Sequence, residues 1–284
     1  MHEVLADLVS VLDLETIEAN IFRGPSRDIG SPQVFGGQVL GQALIAASRT
    51  VSERNVHSLH AYFLRRGDVN APIVYEVDRA RDGSSFSNRR VVAIQHGRQI
   101  FNLAASFHLS EPGFEHAAQA PDVAGPEGLP EVMKVWAARL DNLPRRVREF
   151  LGNQRPFHVR IVEENHHGAD GMQPVKHVWM KAVDELPDDP QLHQAMLAYI
   201  SDYELLGTAT LPHGEERALR GELQMASLDH AMWFHRPCRV DEWLLFSFDS
   251  PSAGGARGLA RGQVFTRDGK LVLSTAQEGL IRQR

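Results

Sequence analysis

One cysteine, Cys238, stands among 284 residues, which excludes an internal disulfide framework and any Cys-x-x-Cys metal site. Long apolar runs are missing too. The longest, Ala195 to Ile200, has six residues, against about 20 for a helix that spans a bilayer. Positive charge is not in excess: 30 Lys and Arg against 36 Asp and Glu leave a net charge of −6. That argues against nonspecific nucleic-acid binding as the main task, while a local basic cluster still permits a polyanionic small ligand. Met1-His2-Glu3 lacks a basic start followed by an apolar stretch, and Ile281-Arg282-Gln283-Arg284 matches no peroxisomal or lipidation signal. The expected compartment is the cytoplasm. No G-x-S-x-G elbow, no G-x-G-x-x-G after a strand and no P-loop occurs. His166-His167, between Asn165 and Gly168, reads as a loop rather than a metal site. No cofactor and no metal are expected.

What is present is a chain written twice. Ser58-Leu59-His60-Ala61 opens a stretch ending in Arg65-Arg66, and Ser227-Leu228-Asp229-His230 opens one ending in His235-Arg236-Pro237. Each is followed by an alternating segment, Ile73 to Val77 or Trp243 to Phe248, and then by a Gly/Ser-rich turn carrying arginine. A second turn, His96-Gly97-Arg98 or Asp268-Gly269-Lys270, leads into a last strand over Gln99 to Leu109 or Leu271 to Ile281. Few residues are identical, but the order of elements is kept throughout.

A helix precedes the strands in each half. Phe35 to Thr50 is apolar nearly all round, as expected of a helix wrapped by a sheet, and Gly37 and Gly41 lie one turn apart for close packing. The second helix is expected over Gln191 to Leu206, with Pro190 where a helix can begin. Strands are expected over Leu14 to Arg23, Pro156 to Glu164 and Lys176 to Asp184. The fold class is α+β, with three parts: 1–112, a linker over 113–153 with a helix interrupted at Pro144, and 154–284.

Two polar residues do not fit this pattern. Asp202 shares an apolar helical stripe with Ala195, Ala198, Tyr199, Leu205 and Leu206. Burying its carboxylate costs several kcal/mol unless something bonds it. It is either a helix-end carboxylate reaching water or a base in a cleft. Gln277 shares one strand face with Leu271, Leu273 and Thr275, while the first half has Ala105 at the aligned position. It is either an edge residue with its amide in water or a polar group added to one copy only. Ser227 says little alone, since Ser58 is its counterpart in the aligned motif.

Taken together, long ordered segments resemble the type II acyl-CoA thioesterase family over nearly the whole chain. They are Val34 to Leu44 (VFGGQVLGQAL), His57 to Asp68 (HSLHAYFLRRGD), Arg81-Asp82-Gly83, Ser201-Asp202, Pro212-His213-Gly214, Ala226 to Pro237 (ASLDHAMWFHRP) and Ser274 to Gly279 (STAQEG). The resemblance implies a double hot-dog fold, two fused units that each wrap an antiparallel sheet round a central helix. It implies an acyl-CoA substrate and association of copies through the sheets. It also implies a catalytic Asp, Ser or Thr, and Gln, which map onto Asp202, Ser227 and Gln277. Serine stands where many members carry threonine. Asp202 would then take a proton from an attacking water that Ser227 and Gln277 orient. Basic partners for the CoA phosphates are sought among Arg79, Arg81, Arg89 and Arg90 in the first half, and Arg257 and Arg261 in the second. Two other readings keep the fold: a hot-dog enoyl-CoA hydratase, for which Asp229 and His230 are the nearest Asp–His pair, and a non-catalytic acyl-CoA-binding module.

Overall fold

A computed structural model describes residues 1–31, 33–139, 154–162, 167–168, 171–214 and 216–284. The first half comprises helix α1 (Glu3–Leu12), a hairpin of β1 (Glu15–Glu18) and β2 (Ile21–Gly24), helix α2 (Gly36–Ser48), and strands β3 (Asn55–Phe63), β4 (Ile73–Asp82), β5 (Phe86–Gln95) and β6 (Arg98–His108). Helix α3 (Val132–Arg139) follows; the rest of the linker helix, with its expected interruption at Pro144, lies outside the described residues. The second half runs through β7 (Phe157–Ile161), a small hairpin of β8 (His167–Gly168) and β9 (Gly171–Met172), β10 (Val175–Ala182), helix α4 (Pro190–Ser201) and two one-turn helices, α5 (Leu205–Thr208) and α6 (Glu216–Leu219). It ends with β11 (Leu223–Ser227), β12 (Asp229–Phe234), β13 (Leu244–Gly254), β14 (Arg257–Thr266) and β15 (Leu271–Gln283).

All strands except β8 and β9 belong to one antiparallel sheet, in the order β1-β2-β4-β5-β6-β3-β12-β15-β14-β13-β10-β7, with β11 also paired to β15. The halves meet where β3 lies against β12, from Asp229 opposite Tyr62 to Trp233 opposite Ser58. The two hairpin turns form as expected, with His96 and Gly97 at φ 49° and 69° and Gly269 at 84°, the left-handed region such turns need.

The alternation of each strand puts one face onto two central helices. Every residue of α2 from Gly37 to Ser48 is buried, and α4 is buried from Leu192 to Ser201 apart from Gln194. The helices pack so closely that a Cβ on Gly37 would lie 2.2 Å from the Tyr199 carbonyl oxygen, and one on Gly41 3.0 Å from that of Ala195. Glycine at these two positions lets the backbones touch. Helix α4 starts where Pro190 suggested, with the Asp189 side chain accepting from the Gln191 N–H at 2.9 Å.

Its end differs from expectation. The helix stops at Ser201, Asp202 is its C-cap, and Glu204 takes φ 59° before α5 begins. Residues 202–204 are therefore a turn that separates Leu205 and Leu206 from α4, and the apolar stripe read from the sequence is not continuous. The expected loop at His166-His167 is also changed in part, because His167 pairs with Met172 in the small hairpin; His166 lies outside the described residues. Residues 110–125 form neither helix nor strand. They cross a satellite cluster of Val162, Trp179, Leu245, Phe265 and Leu271, where Trp179 Nε1–H donates to the Ala124 carbonyl at 2.8 Å. Among the described residues no helix is long and apolar enough to cross a membrane.

Candidate active site

The turn after α4, the break between β11 and β12, and the middle of β15 bring Asp202, Ser227 and Gln277 together. Gln277 Nε2–H donates to Asp202 Oδ1 at 2.6 Å and lies 3.2 Å from Ser227 Oγ; the Ser227 hydroxyl donates to the same Asp202 oxygen at 3.4 Å. Gln277 is fully buried, so its amide is not an edge group in water. Its Oε1 is buried with no hydrogen-bond partner among the described residues, which in a native interior asks for an explanation.

The third support of the carboxylate comes from the first half. Asp202 sits at the N-terminus of α2, where the Gly37 N–H bonds it and a Cβ on Gly36 would lie 2.7 Å from Oδ2. An unpaired N–H and the positive end of a helix both favour an anion there. Burial nevertheless dominates: it pushes the Asp202 pKa up to about 6, against the opposing hydrogen bonds from Gln277, Gly37 and Ser227. The carboxylate is thus ionised at neutral pH but far more basic than a solvated one. Next to it, Lys176 pairs with Glu204 and pins the left-handed turn.

Asp202 opens onto a cavity of about 730 Å³, whose walls include Phe35, Phe157, Val159, Met133 and Tyr203. That is enough for a small organic chain.

Two readings of the sequence are corrected here. Three residues along one regular strand from Ser227, His230 would face away from it. The pairing shows otherwise: Ser227 lies opposite Gly279 but Ala231 opposite Ala276, so Leu228 is an extra residue, a bulge that resets the alternation. His230 is fully buried, and its Nδ1 accepts from Gln277 Nε2–H at 3.0 Å. The register also changes Ser227's counterpart, the first half having an equivalent bulge. The register pairs Val56 with Phe107 and skips His57, so Val56 takes the place of Ser227, and Leu59, not the Ala61 of the aligned motif, takes that of His230. Ala105 does match Gln277, as the sequence indicated, and Leu103 matches Thr275.

The arginines are corrected as well. Arg89 is buried, and all five of its N–H groups are spent: on Thr50 Oγ1 and its carbonyl, the carbonyls of Arg81 and Asn88, and Asp82 Oδ1. It holds the first half together and has no donor left for a phosphate. Arg257 pairs with Glu278, Arg261 with Asp249, and Arg79 with Asn20. Asp229 and His230 form no acid–base pair, because Asp229 accepts from the Glu278 N–H at 2.6 Å on the opposite face. Among the described residues no cluster of His, Cys, Asp or Glu is placed to hold a metal ion. The roles of His230, Thr275, Ser201 and the Gly36-Gly37 pair around Asp202 and Gln277 are not read from the sequence; no pattern in it announces a one-residue bulge or a contact between halves.

Known structures of the same build define the class. A hot-dog-fold protein from Alicyclobacillus acidocaldarius, 18% identical, superposes with a TM-score of 0.77 over 98% of both chains. This is a double hot-dog protein of the α+β class. The sequence goes further. Residues 22–108 match the family model "Acyl-CoA thioesterase N-terminal domain", and residues 148–280 match "Acyl-CoA thioesterase". The chain is 42% identical to acyl-CoA thioesterase 2 of Haemophilus influenzae over 99% of both sequences. It is 41% identical to human acyl-coenzyme A thioesterase 8, over 97% of this chain and 88% of that one. An acyl-CoA thioesterase II from Mycobacterium marinum, 44% identical, superposes with a TM-score of 0.82 over 98% of both chains. The chain belongs to the type II acyl-CoA thioesterase family.

Proposed function

We propose that this acyl-CoA thioesterase works by direct attack of water, with Asp202 as the base and Ser227 and Gln277 as the groups that orient the water. One observation carries the reading: a carboxylate with its pKa raised to about 6, bonded by Gln277 and Ser227, at the wall of a 730 Å³ cavity. A base this basic is well matched to taking a proton near neutral pH. The unpartnered Gln277 Oε1 is the acceptor left for the water's second hydrogen. Water attacks the thioester carbonyl, Asp202 accepts the proton, and the tetrahedral intermediate expels CoA as a thiolate. Both Gln277 N–H groups are engaged, with Asp202 and His230, so the oxyanion needs a backbone N–H instead.

The division into 1–112, 113–153 and 154–284 belongs to the same proposal, and the spans of the two family models lie close to it. So does association of copies through the sheets, for which Tyr62 and Trp233, exposed on the two junction strands, give the apolar contact. Light scattering measures that association. The test of the reaction is a panel of acyl-CoAs, saturated and α,β-unsaturated, followed for free thiol and for the double bond. Thiol release that Asp202→Asn abolishes supports the reading. Loss of the double bond without thiol would mean hydration, and neither would mean binding alone.

A further inference from the structure

The hydrogens around His230 are fully allocated, and their allocation fixes its tautomer. Ser201 Oγ lies 2.9 Å and Thr275 Oγ1 3.2 Å from His230 Nε2. Each hydroxyl already spends its hydrogen on a backbone carbonyl, Ser201 on Ala198 and Thr275 on Ala231, both at 2.9 Å. Both therefore offer lone pairs to the ring, and Nε2 must carry the proton. Nδ1 is then a bare acceptor, and it faces the Gln277 Nε2–H at 3.0 Å.

Two acceptors thus bind the two hydrogens of one amide, Asp202 Oδ1 and His230 Nδ1. Asp202 is an obligate acceptor only while it is ionised. A protonated carboxyl can donate as well as accept, and so tolerates the amide in either orientation. The imidazole does not change: burial holds its pKa down to about 3, so it stays neutral. We propose that His230 is a positioning residue that keeps the Gln277 amide in one orientation throughout turnover, including the step in which Asp202 holds the proton taken from water. With Nε2 held by His230, Oε1 stays at the position where it has no protein partner. This rests on the reading of Asp202 as base and of Gln277 as orienting group.

The pseudo-equivalent site supplies a safe substitution, because Leu59 occupies the corresponding position in the first half. In His230→Leu, kcat is expected to fall about tenfold or more while KM stays within about threefold, since the loss is in positioning and not in binding. His230→Asn, whose Oδ1 reaches the place of Nδ1, should recover kcat to within about threefold of wild type. In a Gln277→Ala background His230→Leu should add less than about twofold, because the two residues act as one unit. Wild-type kcat in His230→Leu, an Asn variant no better than Leu, or an undiminished loss in the Gln277→Ala background would each overturn the proposal. If Gln277→Ala is itself silent, both this inference and the reading it rests on fall; if only His230→Leu is silent, this inference falls alone. Should the leucine variant not fold, ring-nitrogen NMR of the intact wild-type chain decides: an Nε2–H tautomer between about pH 6 and pH 8 supports the assignment, and an Nδ1–H tautomer overturns it.

Discussion

Arg89 on β5 faces Ala105 on β6, whereas in the second half Ala260 on β14 faces Gln277 on β15. Each strand pair thus carries one long polar side chain onto the buried face, from opposite partners. In the first half the chain is a guanidinium whose donors are all met by Thr50, Asp82 and carbonyls, and the positions matching Ser227, His230 and Thr275 are Val56, Leu59 and Leu103. In the second half the chain is an amide with one acceptor unmet, beside a carboxylate and an imidazole whose charges burial disfavours. A complete network stabilises; an incomplete one has capacity for a ligand. The same scaffold separates the two tasks between its copies.

The comparison breaks most visibly at Asp202. Asp202→Asn is expected to lower kcat by about 10² or more, read by thiol release at saturating substrate. The same variant should be more stable than wild type. The folded-state pKa lies above the unfolded one, so ionisation of Asp202 opposes folding, increasingly as pH rises from about 4 to about 6 and fully above that. The advantage of the neutral variant should reach roughly 3 kcal/mol near pH 8 and vanish near pH 4, measured by denaturant unfolding across pH. For the wild-type enzyme, kcat/KM should rise through about pH 6 and level off above it. A flat profile would remove Asp202 as the titrating base.

Gln277→Ala should cost about ten- to a hundredfold in kcat, while Ala105→Gln creates no activity, because Arg89 fills the facing space and no carboxylate answers Asp202 there. A silent Gln277→Ala would remove the distinction between the halves. Arg89→Ala should lower stability by about 3 kcal/mol, leaving Asp82 and the Thr50 hydroxyl without their partner, with kcat of the folded enzyme unchanged. A matching loss of kcat would mean that the first half does more than support. The smallest effect belongs to Ser227: threonine should keep kcat within about threefold and alanine should lose about tenfold, with no acyl adduct on the Ser227 peptide by mass spectrometry during turnover. An adduct would make Ser227 a nucleophile.

Much of the fold was legible because duplication, alternation and the glycines of α2 are local features. The helix without a polar face, the Pro190 start and the two Gly-bearing hairpins all form as read. Asp202 and Gln277 stood out because each was a polar residue in an apolar pattern. What was not legible came from register and from partners distant in the chain. A motif alignment sets Ser58 against Ser227, yet ladder hydrogen bonds set Val56 there, two residues earlier, because a short shared motif does not fix strand register. Arg89 looked like a free cation since nothing local says that Thr50 and Asp82 converge on it. The end of α4 was overrun because apolar Leu205 and Leu206 continue its spacing past a turn that Glu204 makes.

The Gly37 N–H that reaches Asp202 belongs to the half without the proposed catalytic side chains. Inactivating substitutions in this gene should therefore not sort by domain. A methyl group added at Gly36 would enter the carboxylate's own space, 2.7 Å from Oδ2, and would score as a catalytic defect although it lies 166 residues earlier in the chain. Two fragments cut between the halves would each carry an incomplete site, so activity recovered on mixing them would report reassembly directly, one half's backbone completing the other half's acid.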